Sequence, residues 1–153
     1  MRTIILDFDA IDALLHRAQV GRLATTDAGG YPYITPVSFA WADGCIYVHT
    51  SVRGERLANI LANSKVGFEV DEAGDLVTSD RPCNTSVRYS SVILRGTARI
   101  LDDPAQKYRG LDALVAKYIP QHVGKDMPES SIARTTVIAI VPDSCTGKHH
   151  TDA

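Results

Sequence analysis

Arg22-Leu23-Ala24-Thr25-Thr26, Asp27-Ala28-Gly29-Gly30, Tyr31-Pro32-Tyr33-Ile34-Thr35-Pro36-Val37-Ser38-Phe39-Ala40-Trp41, Ala42-Asp43-Gly44 and Cys45-Ile46-Tyr47-Val48-His49-Thr50 follow one another without interruption. The first, third and fifth runs are rich in β-branched and aromatic residues, and the segments between them carry glycines suited to tight turns. The order predicts three consecutive antiparallel strands joined by hairpins, a meander. Pro32 and Pro36 have no amide proton for a ladder, which puts the middle strand at an edge or a bulge.

Upstream, Asp9 is a candidate N-cap for a short helix carrying Ile11, Leu14, Leu15 and Ala18 at helical spacing, and Gly21 ends it. Downstream, Ser51-Val52-Arg53-Gly54 breaks the β pattern and Glu55 to Asn63 turns helical through Leu57, Ile60 and Leu61. Lys65 to Val70 alternates as a strand, and residues from about Glu72 to Thr85 read as a polar loop. Val87 to Leu101 is a long strand bent at Gly96; Asp103-Pro104 starts a helix that turns Leu111, Leu114, Val115 and Tyr118 inward. Thr135 to Val141 is the last strand, and the tail after Pro142 is expected to be unstructured. About six strands and three short helices predict a mainly β fold, a six-stranded antiparallel barrel with peripheral helices, as one domain over residues 1–153.

The chain of 153 residues has a formal net charge of −2, so it has no global positive field for a nucleic-acid backbone. No apolar run has the length of a membrane span, and Asp7 interrupts the N-terminal apolar run too early for a secretory signal; a cytoplasmic protein is expected. Cys45, Cys83 and Cys145 lie too far apart for a metal clamp and are odd in number, which fits reduced thiols.

Two segments carry candidate chemistry. From His49 to Asn63 a strand ending in hydroxyls, Thr50 and Ser51, passes through Gly54 into a helix whose first turn holds Arg56, an arrangement suited to a phosphate but also to a plain connecting loop. Thr35-Pro36-Val37-Ser38-Phe39 lies on the neighbouring strand, so both segments can face one flat ligand. No triad order, carboxylate pair or metal spacing stands out. His149 and His150 are adjacent, so on a strand they point to opposite faces, and His16 and His122 have no partner by spacing; no metal site is expected. Arg88, Arg95 and Arg99 read as a solvated strand face, and Trp41 as a packing residue.

Gly21-Arg22-Leu23-Ala24-Thr25, Gly30-Tyr31-Pro32-Tyr33 with Pro36-Val37-Ser38-Phe39, Ile46-Tyr47-Val48-His49, Gly54-Glu55-Arg56-Leu57 and Ser91-Val92-Ile93-Leu94-Arg95-Gly96-Thr97-Ala98 occur in the order of one family. The sequence resembles, over roughly residues 9–148, the pyridoxamine 5′-phosphate oxidase-like FMN-binding split-barrel proteins, and among them the 5-nitroimidazole resistance (Nim-type) branch. The resemblance implies a split-barrel homodimer with FMN in grooves between subunits, FAD or haem being the alternative cofactors. It implies that Pro36, Val37, Ser38 and Phe39 line the isoalloxazine and that Thr50, Ser51 and Arg56 hold the phosphate. Tyr89, Ser90 and Ser91 would contact flavin near the dimer seam, Lys148 would approach it from the last strand, and His49 would donate a proton. Arg56 stands where relatives carry lysine, and Glu55 places an acid beside it. The implied activity is reduction of a small molecule such as a nitroaromatic with NAD(P)H; a flavin or haem carrier and a pyridoxamine 5′-phosphate oxidase are the rival functions.

Overall fold

A computed structural model of the chain describes residues 2–151; Met1, Asp152 and Ala153 lie outside the described residues. The chain opens with β1 (Arg2–Ile5), which sequence reading missed because all four of its residues are exposed and show no alternation. Helix α1 (Phe8–Arg17) starts two residues before the expected point: Asp7, not Asp9, is its N-cap, accepting the Ala10 amide at 2.9 Å.

Strand β2 (Gly21–Thr26) pairs with β3 (Pro32–Val37) across the expected turn. The long strand expected over residues 31–41 is broken, because β4 (Ala40–Ala42) is separate and Ser38-Phe39 lies between the two. Strand β5 (Cys45–Thr50) pairs with β4, and α2 (Glu55–Ala62) follows. Strand β6 (Lys65–Val77) and strand β7 (Ser86–Ile100) run further into the expected polar loop than sequence reading allowed, leaving residues 78–85 with a 3₁₀ turn at Pro82–Asn84. Helix α3 (Pro104–Tyr118) starts with Pro104 in its first turn as expected, Asp103 being its N-cap, and α4 (Glu129–Arg134) has no counterpart among the expected elements.

The tail after Pro142 is not unstructured. It belongs to β8 (Thr136–Thr151), which lies along β7 from Ile138 to His150 and gives its other edge first to β5 and then to β1. Among the described residues there are eight strands rather than six. The antiparallel order is β3-β2-β6-β7-β8-β5-β4, with β1 on β8. The expected meander is therefore split: β3 and β4 stand at opposite ends of the order although only Ser38-Phe39 separates them in the chain. Val37 and Ala40 are three Cα steps apart, at most about 11 Å, so the sheet must curl until its ends meet.

The inner face supplies the core. Leu23, Val37, Phe39, Ile46, Val48, Val66, Phe68, Val70, Val92, Leu94, Ile138 and Ile140 are buried together, with Leu14 and Leu15 of α1 and Ile60 of α2 plugging the interior. The Phe39 and Phe68 rings meet edge to face at 4.9 Å, tying the β3–β4 junction to β6 across the interior. Gly96 sits where the β7–β8 register shifts, and a Cβ there would come within 2.5 Å of the Val141 carbonyl oxygen, so the strands close up at the predicted bend only because this side chain is absent. Outside the barrel, Leu101, Val137 and Ala139 form a second core with Tyr47 and Leu111, and this is where α3 seats on β5 and β8.

Candidate active site

Strand β5 alternates: Ile46 and Val48 face the core, while His49 is exposed on the opposite face. Thr50 follows on the inner side at the strand's end, where the chain turns through residues 51–54 into α2. Gly54 is the N-cap of that helix with φ 145° and ψ 162°, a backbone region essentially reserved for glycine. Its carbonyl accepts the Leu57 and Ala58 amides, both at 3.1 Å, and the helix start has no side-chain cap. Asn59 anchors α2 to the barrel, donating from Nδ2 to Thr25 Oγ1 at 3.1 Å in buried surroundings.

This geometry aims Arg56 back across the barrel end. Its Nε donates to Thr35 Oγ1 at 3.0 Å and its Nη1 to Thr50 Oγ1 at 3.4 Å, so one half-buried guanidinium joins β3 to the end of β5. Among the described residues no carboxylate pairs with Arg56. Glu55 is exposed in the first turn of α2, where an acid complements the helix dipole, and is not paired with Arg56. Ser51 is exposed and its hydroxyl donates to the Arg53 carbonyl at 2.6 Å, shaping the turn.

The β3–β4 junction splits the expected flavin-lining residues by face. Val37 and Phe39 are 6% and 0% exposed and belong to the core, whereas Pro36 and Ser38 are exposed. Ser38 and His49 line one cleft of about 510 Å³ between the outer face of the barrel, the second half of α3 and residues 119–127, walled by Leu111, Leu114, Val115 and Met127. Tyr118 also lines it and fastens the junction: the Phe39 amide donates to its hydroxyl at 2.9 Å, and that hydroxyl donates to the Gln19 carbonyl at 2.7 Å. Beside it, Lys117 Nζ lies 3.5 Å from the Phe39 ring centre and donates to the Leu15 carbonyl at 3.1 Å; burial pulls its pKa down to about 8.

Tyr89, Ser90, Ser91 and Lys148 form a separate group on the β7–β8 ladder. Ser91 is paired with Lys148, Ser90 Oγ and His149 Nδ1 share a hydrogen bond at 2.9 Å, and the Tyr89 ring stacks on His150 at 5.4 Å. Thr50 pairs with Thr136 on β8, and Ser91 with Lys148 on the same strand, so ~40 Å of strand contour separates the two groups within one chain.

Sequence reading missed Thr35 as a partner of Arg56, and missed Lys117 and the Tyr118 hydroxyl. Only helical periodicity, which turned Tyr118 inward, hinted at any of these. The two terminal histidines sit in a strand rather than a tail, His16 does have a partner in Asp12 at 3.2 Å, and Trp41 Nε1 donates to Asp12 Oδ1 at 2.8 Å. Among the described residues no group of three or more His, Cys, Asp or Glu side chains is arranged to hold a metal. Burial pushes the Cys45 and Cys145 thiols up, away from nucleophilic thiolates. No helix among the described residues is long and apolar enough to cross a membrane.

The chain is 30% identical over 141 residues to the 5a,11a-dehydrotetracycline/5a,11a-dehydrooxytetracycline reductase of Streptomyces rimosus, covering 89% of this chain and 86% of that protein. A candidate 5-nitroimidazole antibiotic resistance protein from Bacteroides thetaiotaomicron superposes with a TM-score of 0.82 at 24% identity, over 97% of this chain and 87% of its own. A FAD and haem binding protein from Mycobacterium smegmatis superposes with a TM-score of 0.87 at 22% identity, over 100% of this chain and 77% of its own, a likeness of fold. The family model described as pyridoxamine 5′-phosphate oxidase matches residues 7–149, and the chain belongs to that family.

Proposed function

We propose that the chain is an FMN-dependent oxidoreductase, a single barrel domain that works as a homodimer in the cytoplasm with flavin between the two copies. The observation that carries this reading is Arg56: a half-buried guanidinium with no carboxylate partner among the described residues, hydrogen-bonded to the neutral hydroxyls of Thr35 and Thr50. A charge withdrawn from water favours an anion beside it, and the uncapped start of α2 adds free amides and the positive end of a helix dipole. A phosphate monoester fits that site, and the flavin attached to it supplies two-electron redox chemistry when bound.

Each residue then has a task. Arg56 forks across phosphate oxygens, with Thr50 as a neutral donor, while the Ser51 hydroxyl, committed to the Arg53 carbonyl, shapes the turn around them. Pro36 and Ser38 present the strand edge to the ring, while Val37 and Phe39 act through the core by holding that edge in place. His49, exposed beside Ser38 in the same cleft, is placed to pass a proton to the developing anion of a substrate. Tyr89, Ser90, Ser91 and Lys148 lie on the β7–β8 ladder twelve positions along β8 from the partner of Thr50, and in this reading a second copy brings them to the flavin. Ile34, Ile93 and Ile5 are 63%, 50% and 68% exposed, apolar side chains that a second copy would cover. NAD(P)H would reduce the flavin, and a nitroaromatic, or an oxidised ring system like that named for the Streptomyces relative, would accept the electrons.

An absorption spectrum of the isolated protein tests the reading. A flavin spectrum, bleached by NADPH and restored by a nitroimidazole, is expected. A colourless protein that takes up no FMN overturns it, and a bound flavin or haem that NADPH does not reduce assigns the chain to the carriers.

A further inference from the structure

The cleft lined by Ser38 and His49 differs from three others on the chain in its charge. Those others carry Lys117, Lys65 with Arg95, or Arg99 with Arg109. None of the residues lining the Ser38–His49 cleft is a lysine, an arginine or a carboxylate. Its walls are Leu114, Val115, Ile119 and Met127, and its volume of about 510 Å³ suits a drug-sized molecule.

Its hydrogen-bonding capacity is confined to one side. The Tyr118 hydroxyl is occupied by the Phe39 amide and the Gln19 carbonyl, and the Thr135 hydroxyl donates to the Ser131 carbonyl at 2.9 Å. The Ser38 and His49 side chains make no hydrogen bond among the described residues, and both are exposed and line this one cleft. A ligand that fits must be apolar over most of its surface and carry its polar atoms along one edge. A phosphorylated amine would lose its water there and meet no lysine, arginine or carboxylate in return, so the cleft disfavours it.

We infer that this cleft is the substrate pocket and that it takes neutral, flat, fused-ring ketones or quinones whose oxygen-bearing edge meets Ser38 and His49, to the exclusion of phosphorylated pyridoxamine. The inference rests on the flavoenzyme reading for its role in turnover, and the binding itself can be measured without turnover. The Ser38 hydroxyl and an imidazole N–H of His49 both donate to a carbonyl oxygen, and the aliphatic walls take the rings.

The test titrates xanthone, a neutral tricyclic ketone, and pyridoxamine 5′-phosphate into the protein with and without FMN. Xanthone is expected to bind at least about tenfold tighter than the phosphorylated amine. Val115→Trp, which fills the cleft, should weaken xanthone about tenfold while leaving FMN affinity within about twofold and the oligomeric state unchanged. Ile119 is 40% exposed at the rim, so Ile119→Arg should fold and reverse the preference by supplying the missing cation. The inference is overturned if the phosphorylated amine binds as tightly as xanthone, if Val115→Trp leaves xanthone affinity intact, or if it expels FMN or breaks an oligomer. FMN failing to bind while xanthone still responds to Val115→Trp would defeat the flavoenzyme reading and leave the pocket assignment standing.

Discussion

Replacing Arg56 by alanine separates an anion site from a mere fastening of two strands. In the free protein the side chain makes two hydrogen bonds to neutral hydroxyls, 3.0 Å to Thr35 and 3.4 Å to Thr50, at a half-buried position. Losing them costs about 1 kcal/mol or less in stability, because the longer bond is weak and the variant also removes an unpaired buried charge. Losing a charged hydrogen bond to phosphate costs about 1.5–3 kcal/mol, so FMN affinity should fall roughly tenfold to 150-fold. Riboflavin, which lacks the phosphate, supplies the control. Quenching of flavin fluorescence should show wild type preferring FMN to riboflavin, with that preference erased in Arg56→Ala and riboflavin affinity unchanged. Equal loss of FMN and riboflavin, or no loss of either, would mean that Arg56 only ties β3 to β5 and that the phosphate is held elsewhere.

Gly54→Ala meets no atom within 4 Å, so its effect is purely one of backbone: at φ 145° the alanine should cost about 1–3 kcal/mol, visible as a fall in Tm of roughly 2–4 °C per kcal/mol. Glu55→Gln removes the acid beside Arg56 and should tighten FMN about two- to fivefold in the same titration, while stability drops by about 0.3–1 kcal/mol from the lost helix-dipole contact. Lys117 has a folded pKa of about 8 against the ordinary 10.5; between those values the unfolded chain binds the proton that the folded chain has released, so its contribution to stability rises with pH. Urea unfolding should therefore show wild type gaining on Lys117→Met from pH 8 to 10.5, by on the order of 1 kcal/mol after discounting for the side chain's partial exposure.

Legibility followed the reach of the interactions. Val66, Phe68 and Val70 alternate because one face of β6 is core, and local pattern suffices to see that. Asp103 caps α3 through a contact to Gln106, three residues away, and was equally visible. The second half of β8 was not: Pro142, Asp143 and Ser144 carry turn chemistry, and only pairing with β7 some fifty residues earlier makes that segment a strand. The break at Ser38-Phe39 escaped for a similar reason, since β propensity runs evenly through residues 33–41 and the interruption is set by barrel closure. At the candidate site, Arg56 and Thr50 were legible because six positions separate them. Thr35 lies 21 positions from Arg56, and Tyr118 79 positions from the Phe39 amide it receives.

The break between β3 and β4 also explains why fold and chemistry coincide there. A closed barrel would pair every strand on both edges and leave no main-chain edge group free for a ligand. Here pairing lapses for two residues, and each is turned to a different use. Phe39 goes inward to Phe68, and its stranded amide is rescued by the Tyr118 hydroxyl, so the interruption carries no unsatisfied buried donor. Ser38 goes outward into the cleft beside His49, without a partner among the described residues. Lys117 and Tyr118 are adjacent on α3 and both bear on Phe39, so the helix that walls the cleft also sets the position of the strand edge that lines it. A change in how α3 seats on β5 must therefore reach the Ser38 hydroxyl through Phe39, and Gly110 is where that seat is tightest. A Cβ there would come 2.8 Å from Tyr47 Cδ1 and 2.9 Å from Val137 Cγ1, so the closeness of α3 to the barrel, and with it the width of the cleft, depends on a missing methyl group.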